Sequence, residues 1–194
     1  GHFVKEDIAF YVEVSKELVN RGYMIPNISD CKSINEILDK INSEYFTEGV
    51  KSFSKINDNS VDLIFSQAVL EHVRIKDFKD LASEIQRVLK NNAYSSHAVD
   101  LKDHLSYSLN NLRFPNSLWE TEFFASSGFY TNRMSISEMI GIFSNLNLQT
   151  DIQNKISWNK LPLPRKKMAN QFKDRPIEDL LISEFDIILR KLND

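Results

Sequence analysis

The densest run of side chains able to do chemistry is Asp100-Leu101-Lys102-Asp103-His104, two carboxylates and an imidazole within five residues. An imidazole titrates near neutral pH, so it can take a proton from an oxygen or nitrogen nucleophile. If the chain turns helical after Asp100, that carboxylate lies one turn before His104 and can pair with it. The same residues also read as the start of a surface helix, with Asp100 as its N-cap and Lys102, Asp103 and His104 solvated. His72, His97 and His104 lack compact ligand spacing, and Cys31 is the only cysteine. No metal site is therefore expected, and an intramolecular disulfide is excluded.

Those residues need a scaffold. Val61-Asp62-Leu63-Ile64-Phe65-Ser66 is a β-branched and aromatic run of strand length. Phe78, Leu81, Ala82, Ile85, Val88 and Leu89 then fall on one face of a helix expected to end near Lys90, with Asn91 and Asn92 as a left-handed cap. A second strand covers about Ala93 to Val99, placing His97 inside it as a hydrogen-bonded core residue. Strand, helix and strand in succession predict parallel neighbours joined by a crossover, the unit of α/β folds. Ligands of such sheets sit beyond the carboxyl ends of the strands, here Ser66-Gln67-Ala68 and Val99-Asp100-Leu101.

The flanking segments carry their own signals. A helical stripe runs from Lys5 to Arg21, with Gly22 placed to end it, and Ser33-Ile34-Asn35-Glu36 reads as a capping box. Tyr45-Phe46-Thr47 is expected as a short strand, followed by a turn or short helix over Gly49 to Ile56. Ser135-Ile136-Ser137-Glu138 opens a helix reaching Leu146, and Leu148–Ile156 and Glu184–Arg190 read as the last strands. Trp158 to Arg175 reads as loop, with Arg165-Lys166-Lys167 as exposed charge.

With 194 residues, 42% of them hydrophobic, the chain is long enough for one sizeable core. A formal net charge of -3 disfavours nucleic acid and anionic lipid as partners. No apolar stretch approaches the roughly 18–20 residues that span a bilayer, and no signal-peptide pattern opens the sequence. A cytoplasmic setting is expected. Gly1-His2-Phe3 runs straight into the helical pattern without a preceding strand, so the sequence is expected to open inside a domain.

Three pieces in order carry a family resemblance: Asn57-Asp58-Asn59-Ser60-Val61-Asp62-Leu63-Ile64, Leu70-Glu71-His72-Val73, and Glu84-Ile85-Gln86-Arg87-Val88-Leu89-Lys90. Each alone is weak; the ordered set resembles the middle of class I S-adenosylmethionine-dependent methyltransferases. The resemblance implies a Rossmann-like α/β sheet lacking its first two strands and closed by a C-terminal antiparallel β hairpin. The implied layout is one incomplete domain: a helical part over 1–44, a central β/α core over 45–110, a candidate lid over 111–134, and a helix with closing strands over 135–194. It also implies S-adenosylmethionine as cofactor, with Ser66, Gln67 and Ala68 beside its sulfonium end and His72 a short step away. His72 reads equally as a packing residue of a short turn. Asp62, at the opposite end of its strand, reads as a turn residue.

The departures bear on function. The family's Pro-Gly-Gly is Asn91-Asn92-Ala93 here, a mild change because asparagine accepts positive φ. None of the five glycines forms a Gly-x-Gly-x-Gly loop, so the main-chain cradle for the cofactor's methionine part is missing from these residues. Trp119, Phe123, Phe124, Phe129 and Tyr130 fit either a lid over a flat or apolar acceptor or a packed loop. Arg113 and Arg133 flank them and would suit an anionic substrate or an ordinary salt bridge. Two functional expectations follow. One is methyl transfer to a small-molecule or other unidentified acceptor with impaired cofactor binding. The other is a non-catalytic binding or scaffold protein that self-associates, as a homodimer, through an exposed sheet edge.

Overall fold

The computed structural model describes residues 8–193. The chain divides into two compact units, Gly1–Gly49 and Val50–Asp194.

In the first unit, α1 (Ile8–Asn20) occupies most of the expected stripe; Lys5, Glu6 and Asp7 lie outside the described residues. Gly22 ends the helix at φ +89°, a value glycine adopts without the steric cost of a Cβ. Its amide donates to Val19 and that of Tyr23 to Leu18, which satisfies carbonyls the last turn leaves free. Helix α2 (Ile34–Lys40) is capped by Ser33, whose hydroxyl accepts from the Glu36 amide. The Glu36 carboxylate reaches back to the amide of Lys32 rather than Ser33, so the expected box closes one residue early. Ile28, Cys31 and Ile37 are this unit's small core.

Tyr45-Phe46-Thr47 is not a strand. Three residues fall short of the usual strand length, and the sheet is built from other segments.

The second unit is built on a four-stranded sheet of β1 (Val61–Gln67), β2 (Leu89–Asp100), β3 (Leu148–Ser157) and β4 (Ile182–Lys191). Their order in space is β1-β2-β4-β3. Strands β1 and β2 are parallel, joined by α3 (Ile75–Val88), while β4 runs antiparallel to both β2 and β3. The expected antiparallel closing pair is present, with a long excursion between its strands. Four short helices connect the rest: α4 (Asn116–Trp119), α5 (Glu122–Ala125), α7 (Asn170–Lys173) and α8 (Ile177–Leu181), the longer α6 (Ile136–Ser144) falling between the two pairs.

Helix α3 buries Phe78, Leu81, Ala82, Ile85 and Val88, and α6 buries Ile136, Met139 and Phe143. These join Leu89 and Val99 of β2 and Phe185, Ile187 and Leu189 of β4 in the main core. Burying each large side chain contributes about 1.5–3 kcal/mol. Ser135 forms a complete capping box with Glu138, as its spacing predicts.

Arg87 explains why two of the motif pieces occur together. It donates to the carbonyls of Phe53 at 2.7 Å and Ile56 at 2.9 Å, and it pairs with Glu84 and Asp58. The amides of Asn59 and Ser60 donate to the carbonyls of Arg87 and Val88, so the end of α3 and the turn before β1 are stitched by main chain and side chain alike.

Two expectations are corrected. Helix α3 stops at Val88, and Leu89 enters β2 directly, because Leu89 is fully buried opposite Val61. The pairing resumes only at Leu63 and Tyr94, and Asn92 takes φ +64° in the irregular stretch between. The segment after Trp158 is no open loop: Leu163, Met168, Phe172 and Leu180 form a second core with Leu109 and Leu112. Lys166 and Lys167 are exposed as expected.

Among the described residues β1 is one of the two edges of the sheet, β3 being the other. The residues of β1 alternate, with Ile64 against the core and Leu63 and Phe65 pointing away, 60% and 80% exposed.

Candidate active site

The site lies where β1 and β2 end. Ser66 is on the core-facing side of β1, and its hydroxyl shares a 2.7 Å hydrogen bond with Nδ1 of His97. The other ring nitrogen of His97 meets the hydroxyl of Ser95. Burial pushes the His97 pKa down to about 4, so the ring is a neutral structural group stacked on Phe143. The hydroxyl of Ser66 is thus committed to the core, whereas Gln67 is exposed at the rim. Ala68 follows at φ +51°, its amide donating 2.9 Å to the carbonyl of Ala98.

A single 3-10 turn, Leu70–His72, comes next. It has no cap of its own; Asn132 supplies one. The Asn132 side chain donates to the carbonyls of Leu70 at 2.8 Å and Val73 at 2.9 Å, and its amide donates to Glu71 at 2.7 Å. His72 Nδ1 meets the carbonyl of Tyr130 at 2.8 Å. A carbonyl only accepts, so in the neutral ring Nδ1 carries the hydrogen and Nε2 the lone pair.

Glu71, flagged by no expectation beyond its place in the motif, is the most perturbed acid here. It is 1% exposed, and neither carboxyl oxygen has a hydrogen-bond partner. Burial pushes its pKa up to about 7, with the Asp100 charge adding to the rise; the amides of Glu71 and Asp100 and a charge on His104 act the other way. Those amides polarise the carboxyl without reaching hydrogen-bond geometry.

The expected pairing of Asp100 with His104 does not form. The chain leaves β2 in bends and turns rather than a helix. Asp100 instead accepts from the amide of Lys102 at 2.9 Å, and the Lys102 ammonium lies 3.5 Å from it while pairing with Glu184. Asp103, expected to be solvated, is fully buried and accepts from the amides of Leu105, Ser106 and Asn110. His104 is exposed and meets His72 edge to face, ring centroids 4.9 Å apart. His72 and His104 are therefore brought together, with Asp100 on the same rim but engaged by Lys102.

The aromatic stretch is packed except for Phe123, which is exposed. Trp119 is fully buried among Phe114, Phe124, Phe129 and Tyr130, with its indole N–H donating to Thr131. Arg133 is an internal brace rather than a substrate ligand. It donates to the carbonyls of Asn111 and Phe114 and to Asn116, and its guanidinium lies 5.1 Å from the Trp119 ring centroid. Burial lowers its pKa to about 10, still cationic at neutral pH. Arg113 bonds to Asn110 at the surface.

Residues 11–96 match the family model described as a methyltransferase domain. An S-adenosylmethionine-dependent methyltransferase from Methanosarcina mazei shares the fold, with a TM-score of 0.53 at 17% identity over 92% of this chain and 77% of that one. Another from Archaeoglobus fulgidus matches with a TM-score of 0.49 at 13% identity, over 92% of this chain and 81% of that one. None of the curated proteins matches the chain. Residues 11–96 thus match the methyltransferase domain, and the fold is one shared with S-adenosylmethionine-dependent methyltransferases, whose family cofactor is S-adenosylmethionine.

The residues present fit only part of that cofactor. Gln67, Ala68, Ala98, Asp100, Glu184 and Asp186 line a shallow recess of about 160 Å³ at the strand ends. Sites that enclose a ligand of drug size measure roughly 300–1,000 Å³. The five glycines stand far apart at positions 1, 22, 49, 128 and 141, so these residues supply no glycine-rich cradle.

Proposed function

We propose that this chain forms the acceptor side of a methyl-transfer site and by itself grips S-adenosylmethionine weakly. The observation that carries the reading is His72, whose Nδ1 is held by Tyr130 so that Nε2 is left as the basic atom beside the exposed ring of His104. A hydroxyl, thiol or amine acceptor gives up a proton when it gains a methyl group, and Nε2 of His72 takes it. His104 flanks the acceptor, and Asp100 tunes the charge of the rim through Lys102. Gln67 and Ala68 lie against the cofactor's reactive end, with Ser66 bracing them through His97. The acceptor is a small molecule rather than nucleic acid, in keeping with the net charge of -3. Among the described residues no helix is long and apolar enough to cross a membrane; the setting we propose is the cytoplasm.

Calorimetric titration of S-adenosylmethionine tests the weak grip. No saturation in the micromolar range is expected, and micromolar binding overturns it. Transfer of labelled methyl from cofactor at millimolar concentration to an acceptor pool tests the chemistry, with His72→Gln expected to remove the signal. Equal transfer by that variant overturns the role of His72.

The exposed edge of β1 supports a second reading, a scaffold that pairs with another copy of itself. Leu63 and Phe65 face away from the core on a strand that has a neighbour on one side only among the described residues, a combination prone to strand pairing. Light scattering decides: a concentration-dependent dimer lost in Phe65→Lys supports it, and a monomer at all concentrations overturns it.

A further inference from the structure

The mechanism above leaves one group at the site unused, the buried carboxyl of Glu71. Water does not reach it, and no donor satisfies it. A buried carboxylate without partners is costly, so such a group holds a proton, acquires a counter-charge, or exchanges one for the other. Nε2 of His72 lies 4.0 Å from its Oε1.

We propose that the buried carboxyl of Glu71 is a positioning residue whose charge state sets how readily Nε2 of His72 accepts a proton at the rim. The inference rests on the reading of His72 as the proton acceptor. When Glu71 is neutral, Nε2 is free to take the proton of an incoming nucleophile. When Nε2 has taken it, the imidazolium lies 4.0 Å from the carboxyl and favours its ionised form, the displaced proton passing to the solvent at the part-exposed His72 rim. Proton number balances: one enters at Nε2 as one leaves Oε1, and no other group is oxidised or reduced.

The surroundings suit such an exchange. Tyr130 holds Nδ1 from the opposite side, which fixes the ring's orientation and directs the exchange through Nε2. Asp100 faces Glu71 from β2 and opposes its ionisation, with Lys102 offsetting part of that charge; His104 favours ionisation when protonated. The Tyr130 hydroxyl is committed to Glu120. Burial leaves Glu71 titrating near 7, where a proton can be exchanged at physiological pH. Asn132 fixes the main chain on both sides of the pair, so the separation is set by the fold.

Proton NMR of the His72 ring, followed against pH in the unliganded full chain, tests the pair without any acceptor. In the wild type the His72 Cε1–H curve is expected to show two inflections, one of them reporting Glu71. In Glu71→Gln the inflection that reports Glu71 is lost. Should Glu71→Gln not fold, the ¹³C-carboxyl resonance of Glu71 serves in its place: its midpoint is expected to rise in His72→Gln, because the imidazolium no longer favours the carboxylate. Curves unmoved by removal of the other partner overturn the pair. Coupled titration together with no labelled methyl transfer keeps the pair and rejects the reaction, so the two readings fail separately.

Discussion

The main-chain amide of Asn132 donates to the carbonyl of Glu71 at 2.7 Å, binding the end of the aromatic segment to the turn that carries Glu71 and His72. Through that contact and the two from its side chain, Asn132 braces a turn that has no side-chain cap within its own segment.

Asn132→Ala leaves two carbonyls without their side-chain donor, one of those bonds being buried. A loss of about 2–3 kcal/mol is expected, since an unsatisfied buried polar group costs about 1–3 kcal/mol. Urea unfolding at neutral pH checks it, and a loss below half a kilocalorie, on the order of a surface change, would show that the turn holds without Asn132.

Glu71 and His97 make opposite contributions to stability against pH. Glu71 is raised from 4.5 to about 7, so between those values the folded state binds more protons, and stability from this group falls as pH rises. His97 is lowered from 6.5 to about 4, so the unfolded state binds more protons in that interval, and stability from this group rises with pH. Each spans roughly 3 kcal/mol, and between about pH 4.5 and 6.5 they largely cancel. Glu71→Gln removes one side of the balance. Its stability relative to wild type is expected to climb by on the order of 3 kcal/mol from pH 4.5 to 8, read from urea midpoints at several pH values. A difference that stays constant across that range contradicts the raised carboxyl.

His97 is expected to stay neutral well below the ordinary histidine range, because burial opposes its charged form. Its Cε1–H resonance should therefore hold its neutral position down to about pH 4. An inflection near 6.5 would place the ring in solvent.

Trp119→Ala empties the centre of the aromatic cluster and strips the donor from the Thr131 carbonyl. The expected cost is about 3–5 kcal/mol. Because Arg133 lies over the Trp119 ring, Trp119→Phe should recover much of the packing but not the hydrogen bond. Thermal or urea unfolding of the two variants separates the contributions.

Much of the architecture is legible locally. The stripe of Phe78, Leu81, Ala82 and Ile85 marks α3 without reference to anything distant, and Ser135 with Glu138 marks the first turn of α6. Gly22 sits where α1 must stop. The limits of local reading show at Leu89, where periodicity favours another helical position but burial against Val61 turns it into strand. They show again at Tyr45-Phe46-Thr47, which has strand composition but is not a strand.

The site was legible in its parts and not in its pairings. Ser66-Gln67-Ala68 and Asp100 fall at strand ends, as the α/β pattern requires, and His72 lies in the motif that follows. Nothing in the local sequence distinguishes an Asp100 that pairs with His104 from one taken by Lys102, because both partners lie within a few residues. The direction of the chain after β2 decides it. Asp103 looks like surface charge until three amides close around it, and Arg133 looks like an anion ligand until the carbonyls of Asn111 and Phe114 receive it.

By itself the sequence determined the alternation of strand and helix, most helix starts, and which residues stand at the carboxyl ends of the two parallel strands. Periodicity, capping and turn chemistry act over a few neighbouring residues and need no partner from elsewhere. Only the tertiary structure decided that β4 enters between β2 and β3, that Glu71 is shut away from water, and that His72 meets His104. Burial and pairing depend on segments distant along the chain, and they set the proton affinities on which the chemistry of the site depends.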